Sequence, residues 1–353
     1  EPYRLMLQLL AKANDPFSGG RSYYSHPSSR EEDKPKIIHQ SSATGMQAIP
    51  TTGVAQGLKY IQEFNLQNFD KNPVVVCSLG DNSVTEGEVA EAFQFAALHQ
   101  LPIIFLVQDN DWGISVTKEE ARTSDAYDYA AGFVGLNRMR VDGTNFVESY
   151  LAMQEAINFV RNERKPMLVC AKTVLIGHHT SGVRREFYRD DADLEKHRAQ
   201  DPGKKLYAYL LDNGTDENHL KQIEKKARLE AEQAFEKACN AEDPKAESVE
   251  DFVFAPTPIT EEVGERCPAE NTEKIVMVDA AIHAIQELMW KHPEALLYGQ
   301  DVGARIGGVF RETVTLGGKF GEKRVFNTAI QEAYIIGSTV GMSAVGLKPI
   351  VEV

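Results

Sequence analysis

The chain has 353 residues, of which 42% are hydrophobic and 25% are charged, and its formal net charge is −14 at pH 7. This length suits two domains of ordinary size, and no apolar run approaches the ~18 to 20 residues of a membrane-spanning helix. The acidic balance argues against nonspecific binding to nucleic acid or to an anionic membrane surface, because such polyanions require a basic surface.

Cysteine spacing and the two chain ends set further expectations. No C-x-x-C spacing occurs among the four cysteines, which are Cys77, Cys170, Cys239 and Cys267. We interpret them as reduced thiols rather than zinc ligands or disulfide partners, which favours a cytoplasmic location. The chain starts at Glu1 without an initiator methionine and stops at Val353 within a strand-like run, so we expect it to continue beyond both ends.

Short apolar runs alternate with amphipathic stretches between residues 74 and 175. Three runs predict buried strands of a parallel sheet: VVVCSL (74–79), PIIFLVQ (102–108) and PMLVCAKTVLI (166–176). Between the first two, apolar residues recur at helical spacing, at Val89, Ala92, Phe93, Ala96 and Ala97. The T-x-x-E pattern at 85–88 predicts a capping box at the start of this helix, which completes a β-α-β unit.

The second half of the chain begins with a charged segment. Residues 216–250 are rich in Lys, Glu and Ala and predict a long, solvated helix. Residues 255–273 contain three prolines and no periodicity, which predicts a linker. After it, a helix pattern at 278–290, a short strand ALLYG, a glycine-rich loop at 303–308 and a further helix and strand predict the first part of a second α/β domain.

Polar side chains follow two of the predicted strands. Asp81 lies just past the first strand, and Asp109 and Asn110 follow the second. Ligands collect at the carboxyl ends of strands in an open parallel sheet, and a right-handed crossover places these two ends side by side. We therefore expect Asp81 and Asn110 to share an ion, and their hard oxygen ligands suit Mg²⁺ or Ca²⁺.

The residues after Asp81 predict a phosphate site. Asn82, Ser83 and Val84 lead into a helix N-terminus, whose free N–H groups attract anions. Glu86 and Glu88 oppose a bare phosphate, so the combination predicts a diphosphate held through Mg²⁺. On these residues alone, simple turns after the two strands are an equally open interpretation.

The motif order resembles a known family. GDN at 80–82 followed by DN at 109–110 looks like the G-D-G…N-N signature of thiamine-diphosphate enzymes. The run GDNSVTEGEVAEAFQFAALHQLPIIFLVQDNDWGIS, followed by RVDGTN (140–145), IGHHTS (176–181) and YRD (188–190), resembles the α half of 2-oxo acid dehydrogenase decarboxylases, most like the branched-chain type. LYGQDVGARIGGVFRET, RVFNTAIQEAYIIGSTVGM and GLKPIVEV, within 273–353, resemble the start of the β half.

The resemblance implies a fused α–β decarboxylase with an α/β thiamine-diphosphate-binding fold, in which parallel sheets carry helices on both faces in two related domains. It implies a diphosphate-binding, α-like domain over 1–215, a helical segment and linker over 216–272, and the start of a pyrimidine-binding, β-like domain over 273–353. The cofactors implied are thiamine diphosphate and Mg²⁺.

The family's site residues transfer to matching positions of this chain. The metal ligands fall on Asp81, Asn110 and the main-chain carbonyl of Trp112. The cofactor contacts fall on Gly80, Asn82, Ser83, Val84, Ile114, His179 and Glu332, and on Gly45 of the segment SSATGMQAIP (41–50).

Glu332 and His179 are the catalytic candidates that the resemblance implies. Glu332, in QEA, would hydrogen-bond a pyrimidine nitrogen of the cofactor so that its exocyclic nitrogen can remove the thiazolium proton, and the flanking run AYIIGSTVG predicts a buried helix. His179 would contact the diphosphate and stabilise an intermediate, while His178 can equally be a turn residue. His26 and His39 precede the thiamine loop and are weaker candidates.

Several positions depart from the family pattern. Asn82 replaces the second glycine of G-D-G, where glycine adopts the required backbone conformation more easily. Asp109 replaces the first asparagine of the pair, and Gln300 stands where family members often carry glutamate. After the histidines, TSGVRREFYRD lacks the usual Ser-Asp-Asp.

The implied reaction is oxidative decarboxylation of a small 2-oxo acid, branched-chain or pyruvate-like, with acyl transfer to the lipoyl group of a partner acyltransferase. Self-association as a dimer or higher oligomer is expected, because Glu332 would meet Asp81 across a subunit interface. Three alternatives remain at this stage: another thiamine-diphosphate activity such as acetoin cleavage or transketolase-like transfer, a noncatalytic subunit that keeps the fold, and Mg²⁺-dependent nucleotide binding.

Overall fold

The computed structural model describes residues 2–38, 42–180, 182–251, 253–254, 267 and 270–353. The chain divides into two compact units, one formed by residues 1–42 and 215–277 and the other by residues 43–214 and 278–353. No helix in the described ranges combines the length and apolar composition that crossing a membrane requires. The domain boundaries expected near residues 215 and 272 stay predictions, as does the linker at 255–273, most of which lies outside the described residues.

Helices and strands alternate along most of the described chain. The helices are α1 (Pro2–Leu9), α2 (Ala48–Glu63), α3 (Gly87–His99), α4 (Lys118–Ala121), α5 (Ala126–Tyr129), α6 (Phe146–Glu163), α7 (Asp191–Ala199), α8 (Pro202–Asp212), α9 (Glu217–Cys239), α10 (Met277–Lys291), α11 (Leu316–Phe320) and α12 (Glu332–Ala344). The strands are β1 (Val75–Gly80), β2 (Ile103–Asp109), β3 (Asn137–Asp142), β4 (Met167–Lys172), β5 (Ala295–Gly299), β6 (Val325–Asn327) and β7 (Lys348–Glu352).

The strands form two parallel sheets in the second unit. The first has the order β1-β2-β4-β3, and the second has the order β6-β5-β7. The predicted β-α-β unit is confirmed, with β1 paired to β2 in the register Gly80 to Gln108. This register places Asp81 and Asp109 next to each other, each one position beyond a paired residue.

The core of the first sheet follows from the apolar periodicity of α3. Val89, Ala92, Phe93 and Ala96 of this helix are completely buried, and they pack in one cluster with Phe105 of β2. The rings of Phe93 and Phe105 meet edge to face with centroids 4.7 Å apart. Burial of this helix face fixes α3 on the sheet, and therefore fixes the turn that joins α3 to the end of β1.

Helices α2 and α12 cross at short distance, and two glycines permit this crossing. A Cβ atom on Gly53 would lie 2.2 Å from the carbonyl oxygen of Ser338, and one on Gly341 would lie 1.9 Å from that of Pro50. Any larger residue at either position would force the helices apart. The crossing joins the segment before β1 to the helix that begins at Glu332.

The first unit is built on helices α1 and α9. Lys12 forms an ion pair with Asp243 at 2.7 Å, and the ammonium group of Lys237 lies 4.2 Å from the ring centroid of Tyr3. The long charged helix predicted over 216–250 is confirmed over Glu217–Cys239, while Ala246–Glu250 forms a separate 3-10 turn.

One local expectation is wrong, and one strand was not expected. The T-x-x-E pattern at 85–88 forms no capping box, because residues Asn82–Thr85 form a 3-10 turn in which the Thr85 hydroxyl donates to the Asn82 carbonyl at 2.8 Å. Helix α3 begins later, at Gly87, without a side-chain cap. A capping box does occur at Thr117 and Glu120, at the start of α4. Strand β3 was not predicted, since Arg138 and Arg140 interrupt its apolar pattern.

Candidate functional site

The carboxyl ends of β1 and β2 carry a buried ionic cluster. Arg122 lies between two aspartates, with Nη1 2.6 Å from Oδ2 of Asp81 and Nη2 2.7 Å from Oδ1 of Asp109. The side chains of Arg122, Asp81 and Asp109 are only 9%, 3% and 5% exposed, respectively. Buried charges are costly unless they are paired, so this arginine stabilises both carboxylates.

Burial and charge shift the pKa values in this cluster. Burial raises the pKa of Asp81, and the attraction of Arg122 opposes this shift while the neighbouring Asp109 adds to it. For Arg122, burial disfavours the charged form, but the attraction of Asp81 and Asp109 outweighs it and raises the pKa. Two carboxylates side by side therefore depend on the one guanidinium between them.

The loop after β2 turns back toward the end of β1. Oδ1 of Asn110 accepts a hydrogen bond from the Trp112 backbone N–H at 3.0 Å, and Asp111 adopts a positive φ of 69°. Trp112 then forms an isolated antiparallel bridge with Thr117. A Cβ atom on Gly113 would lie 2.4 Å from Nδ2 of Asn82, so this loop touches the turn that follows Asp81.

Asn82 occupies a different conformation from the one expected. Its φ is not positive, because the residue opens the right-handed 3-10 turn Asn82–Thr85. The expectation of a glycine-like backbone at this position is therefore wrong, and asparagine fits there without strain. Its Oδ1 atom is buried and has no hydrogen-bond partner in the described chain. Such an unpaired oxygen at a strand end is suited to a ligand or an ordered water.

The donor atoms at this edge fit a small divalent cation. Arg122 engages Oδ2 of Asp81, which leaves Oδ1 for a further ligand. The Asn110 amide oxygen and the Trp112 carbonyl lie in the loop that touches Asn82, and no hydrogen bond to that carbonyl occurs among the described residues. All three are hard oxygen donors of the kind that Mg²⁺ and Ca²⁺ bind. The described residues hold no cluster of three or more His, Cys, Asp or Glu side chains suited to a metal.

The residues around Asp81 differ in solvent exposure. Gly80 is exposed, whereas Ser83 and Val84 are buried. The Ser83 hydroxyl donates to the Gly80 carbonyl at 2.6 Å, so its side chain closes the turn. Only backbone N–H groups of this turn are therefore suited to a phosphate. Ile114 is 43% exposed on the loop after β2.

The thiamine loop lies against the start of α3. Gly45 is buried with φ +84°, and a Cβ atom there would lie 2.9 Å from Cγ of Glu86 and 3.4 Å from Cγ2 of Val89. The amide of Gln47 donates to the Ser78 carbonyl at 3.0 Å, so the same loop also contacts β1. The structure therefore brings Gly45 close to the turn that follows Asp81.

The histidine loop follows β4, the strand next to β2. His178 and His179 are exposed, and Nδ1 of His178 accepts a hydrogen bond from the Arg185 backbone at 3.2 Å. His179 has no hydrogen bond to the ionic cluster in the described part of the chain. His26 lies in the other unit and contacts the Tyr24 carbonyl, while His39 lies outside the described residues.

Arg189 connects the histidine loop to the loop after β2. Its side chain is completely buried, donates to the Leu175 carbonyl at 2.7 Å and pairs with Asp193 at 2.6 Å. The guanidinium carbon lies 5.2 Å from the ring centroid of Trp112. This cation–π contact holds Trp112 in place, and the main-chain carbonyl of Trp112 is a predicted metal ligand.

Glu332 is the first residue of α12 and is exposed. The predicted burial of the helix is confirmed for one face, which includes Tyr334, Ile335 and Met342. The implied burial of Glu332 is wrong, because its side chain points away from that face. The nearby Gln300 amide lowers the pKa of Glu332, although it forms no hydrogen bond of regular geometry.

A glutamate of α3 caps the start of α12. Oε2 of Glu91 accepts the Tyr334 backbone N–H at 2.8 Å, and this N–H lies in the first turn of the helix. A carboxylate at a helix N-terminus is favoured by the helix dipole. Because α3 follows the Asp81 turn directly, Glu91 links Glu332 to the strand-end site within one unit.

Sequence reasoning missed Arg122, Glu91 and Arg189. Arg122 and Arg189 lie in polar stretches, and Glu91 lies among the apolar residues of α3. No local pattern shows that any of the three charged side chains will find a buried partner. Asp109 gave the one available signal for Arg122. A second carboxylate beside Asp81 at a buried strand end requires a cation nearby.

Two family models and several curated relatives match this chain. The family model described as "Dehydrogenase E1 component" matches residues 2–247, and the model described as "Transketolase, pyrimidine binding domain" matches residues 273–353. The mitochondrial 2-oxoisovalerate dehydrogenase subunit alpha of Mus musculus is 30% identical over 235 residues, which are 66% of this chain and 50% of the relative. The pyruvate dehydrogenase E1 component subunit alpha of Mycoplasma genitalium is 32% identical over 186 residues, or 52% of this chain and 50% of the relative.

A solved structure supports the fold. The transketolase of Campylobacter jejuni matches with a TM-score of 0.53 and 18% identity, covering 87% of this chain and 47% of that chain. The predicted α/β fold with parallel sheets is confirmed by this likeness and by the two sheets. The chain spans about half the length of these curated relatives. Because the E1 model covers more than half of the chain, the protein belongs to the dehydrogenase E1 component family.

Proposed function

We propose that this protein catalyses the oxidative decarboxylation of a 2-oxo acid with thiamine diphosphate and Mg²⁺, and passes the acyl group to the lipoyl arm of a partner acyltransferase. One observation carries the proposal: a single chain matches the E1 component and then the pyrimidine-binding domain, and the first of these contains Asp81 at a strand end. When bound, thiamine diphosphate supplies the nucleophilic carbon and accepts the electron pair that CO₂ leaves behind.

The strand-end residues hold the metal and the diphosphate in this proposal. Asp81, the Asn110 amide oxygen and the Trp112 carbonyl bind Mg²⁺. Backbone N–H groups of Gly80, Asn82, Ser83 and Val84 face the phosphate oxygens. Support comes from the Oδ1 atom of Asp81, which Arg122 does not engage, and from the close approach of Gly113 to Asn82, which brings the two loops together.

Gly45 and Ile114 contact the organic part of the cofactor from the two loops beside Asp81. The positive φ of Gly45 and its fit against Glu86 support this role, because no side chain fits there.

Two further groups act on protons. Glu332 accepts a hydrogen bond from the pyrimidine ring, and its lowered pKa keeps the carboxylate ionised near neutral pH. His179 donates a proton to the substrate side of the site and contacts the diphosphate, which its exposed position on the loop after β4 permits.

Self-association is part of the proposal. Glu332 is exposed at the start of α12, and the nearby Ile330 and Ile336 are 81% and 51% exposed. Such apolar residues around a catalytic carboxylate suit contact with a second copy that covers them. In that assembly, Glu332 of one copy faces Asp81 of another. A cytoplasmic location is also proposed, and the free thiols of all four cysteines support it.

The substrate class is a short 2-oxo acid, branched-chain or pyruvate-like. The named relatives are a 2-oxoisovalerate dehydrogenase subunit and a pyruvate dehydrogenase subunit, and the chain resembles both at a similar level. Their names support the class rather than one member of it.

The test is a decarboxylation assay of the full-length protein. We expect turnover of 3-methyl-2-oxobutanoate or pyruvate with an artificial electron acceptor, dependent on both thiamine diphosphate and Mg²⁺. Acetoin and a ketose phosphate serve as substrates for the rival thiamine activities, and turnover of either one alone would overturn the proposal. Cofactor binding without turnover of any 2-oxo acid would identify a noncatalytic subunit, and thermal stabilisation by ATP but not by thiamine diphosphate would identify a nucleotide site.

A further inference from the structure

The ionic cluster contains one buried cation for two buried carboxylates. Asp81 and Asp109 stand side by side at the ends of paired strands, and Arg122 contacts both. The two carboxylates and one guanidinium carry a net formal charge of −1 in a nearly closed space. Without the arginine, two adjacent buried carboxylates would repel each other.

We propose that Arg122 is a positioning residue that balances the charges of Asp81 and Asp109 and so keeps the two strand ends in place when no Mg²⁺ is bound. One N–H group of Arg122 donates to Oδ2 of Asp81, and a second donates to Oδ1 of Asp109 and neutralises that carboxylate. This role deepens the proposed function, on which its metal part rests. Arg122 thus acts through Asp81 and makes no contact with the reacting atoms.

The shape of arginine suits this task. Its planar guanidinium presents two separate N–H edges, so one side chain pairs with two carboxylates in fixed directions. Lysine offers a single point charge and does not hold both oxygens in the same way. The observed distances of 2.6 and 2.7 Å are those of charge-assisted hydrogen bonds.

Arg122 is held by the same segment that carries the predicted metal loop. Its backbone N–H donates to the Lys118 carbonyl at 3.0 Å, at the end of α4, and the capping box of Thr117 and Glu120 fixes the start of that helix. Thr117 in turn bridges Trp112. The arginine and the Trp112 carbonyl therefore sit on one compact hairpin, so their positions relative to Asp81 are set together.

Lys172 is a poor substitute for Arg122. Its ammonium group lies 3.3 Å from Oδ1 of Asp109 but is 50% exposed, and an exposed ion pair contributes little. Among the described residues, Arg122 is the only buried cation in contact with Asp81 or Asp109. Asp109 also stands where the resembled motif carries a neutral asparagine, so this chain has a carboxylate to neutralise at a position where the motif has none.

A four-member set of variants tests the charge balance in the full-length protein. Relative to the parent cluster at −1, Arg122→Gln makes the net charge −2, Asp109→Asn makes it zero, and the double variant returns it to −1. Thermal unfolding is measured in EDTA and in Mg²⁺, and Mg²⁺ binding is measured by calorimetry. Lys172→Gln is the exposed-cation control, because it removes a half-exposed ammonium group that pairs with Asp109 and with Asp111.

In EDTA, we expect Arg122→Gln to lower the unfolding temperature by roughly 5 °C or more, and the double variant to recover to within about 2 °C of the parent. Lys172→Gln should shift it by no more than about 1 °C. The stabilisation by Mg²⁺ should be largest for Arg122→Gln, intermediate for the parent and the double variant, and smallest for Asp109→Asn, since cation binding follows the negative charge left at the site.

Two results would overturn the inference. One is an Arg122→Gln protein as stable in EDTA as the parent. The other is a double variant no more stable than Arg122→Gln, and this comparison holds even if the single variant fails to fold. If the double variant recovers its stability in EDTA but Mg²⁺ stabilises none of the four proteins, the charge balance holds. The assignment of a Mg²⁺ site at Asp81, and with it the proposed cofactor site, would then be refuted. If the four proteins show the expected order of Mg²⁺ stabilisation but the parent turns over no 2-oxo acid, only the proposed function would be refuted.

Discussion

The end of β1 and the start of α12 are opposite in character. At the end of β1, Asp81 and Asp109 are buried and Arg122 pairs with both. At the start of α12, Glu332 is exposed, and the glutamine beside it is its nearest polar neighbour with an effect on its pKa. The first region has its ionic partners within the chain, whereas the second presents a carboxylate without an ionic partner among the described residues.

The two regions keep their carboxylates ionised in different ways. A chain with buried carboxylates folds stably only when these carboxylates are paired. The ionic cluster at the strand ends is therefore formed before any ligand binds. An exposed carboxylate is solvated, so the chain folds without an ionic partner for it. The environment of Glu332 is therefore set by the ligand or second copy of the chain that covers it. Substitutions in the first region should therefore affect binding and folding together, and substitution of Glu332 should affect catalysis alone.

The largest expected effect is on catalysis at the start of α12. Glu332→Gln keeps the size of the side chain and removes its charge, and should lower kcat for decarboxylation by roughly 10²- to 10⁴-fold. The unfolding temperature should change by no more than about 2 °C, because the residue is exposed. Glu287→Gln on the exposed side of α10 is the control, and turnover within twofold of the parent for Glu332→Gln would contradict the assignment.

The next effect concerns the strand end. Asp81→Asn retains an acceptor for Arg122 but loses the charge, so the affinity for Mg²⁺–thiamine diphosphate should fall by more than the roughly 10- to 100-fold that loss of an outer-shell partner costs. Stability should change less, because Arg122 still pairs with Asp109. Calorimetric titration and thermal unfolding measure the two quantities. Asp128→Asn, in an exposed pair with Arg140, should change neither; unaltered cofactor affinity in Asp81→Asn would refute the metal role.

The position of α12 can be tested through its crossing with α2. Gly341→Ala would place a methyl group 1.9 Å from the Pro50 carbonyl oxygen and should destabilise the protein by about 1 to 3 kcal/mol. Gly318→Ala in α11 is the matched control, since a Cβ atom there meets nothing within 4 Å. Urea unfolding measures both. Equal stability of the two variants would mean that the crossing is looser than the structure indicates.

The smallest effect is a pH dependence on the α3 side of α12. The rings of His99 and Tyr334 both stack on Phe95, with centroid distances of 4.1 and 3.9 Å. Burial, with a contribution from Lys59, lowers the pKa of His99 from 6.5 to about 4. The folded state therefore favours the neutral ring, and its stabilising contribution is complete above pH 6.5 and is lost as the pH falls toward 4.

His99→Phe keeps the stacked ring and removes the titration. Between about pH 7.5 and 5, the parent should lose roughly 1 to 2 kcal/mol of stability more than the variant. Denaturant unfolding at the two pH values measures this difference. An identical loss on acidification in both proteins would show that His99 does not resist protonation in the folded state.

The strands and the main helices could be predicted because their signals are local. The runs at 74–79, 102–108 and 166–176 each became a strand within two residues at the start, and the helix pattern at 278–290 became Met277–Lys291. The boundaries near Asp81 could not be predicted, because a 3-10 turn and a capped α-helix share the same polar residues. The hydroxyl of Thr85 bonded within its own turn, where the T-x-x-E pattern favours a cap.

The candidate site was predicted in part. Residues Asp81, Asn110 and Trp112 were chosen from motif order, and the structure brings their loops together at one edge of the sheet. Their roles as ligands stay predictions, as do those of Gly45, His179 and Glu332. The exposure of Glu332 could not be predicted from the sequence. An apolar run indicates that a helix has a buried face, but it does not indicate which polar residues lie outside that face.

Local apolar periodicity was enough to predict three strands of the first sheet, the parallel α/β architecture and the positions of the motifs, because it acts over a few residues. Only the tertiary structure decided which charges meet. Arg122 reaches Asp81 across 41 residues, and Glu91 caps α12 across 243 residues. Such pairs depend on how distant segments pack, and charged residues carry no local mark of the partner they will find.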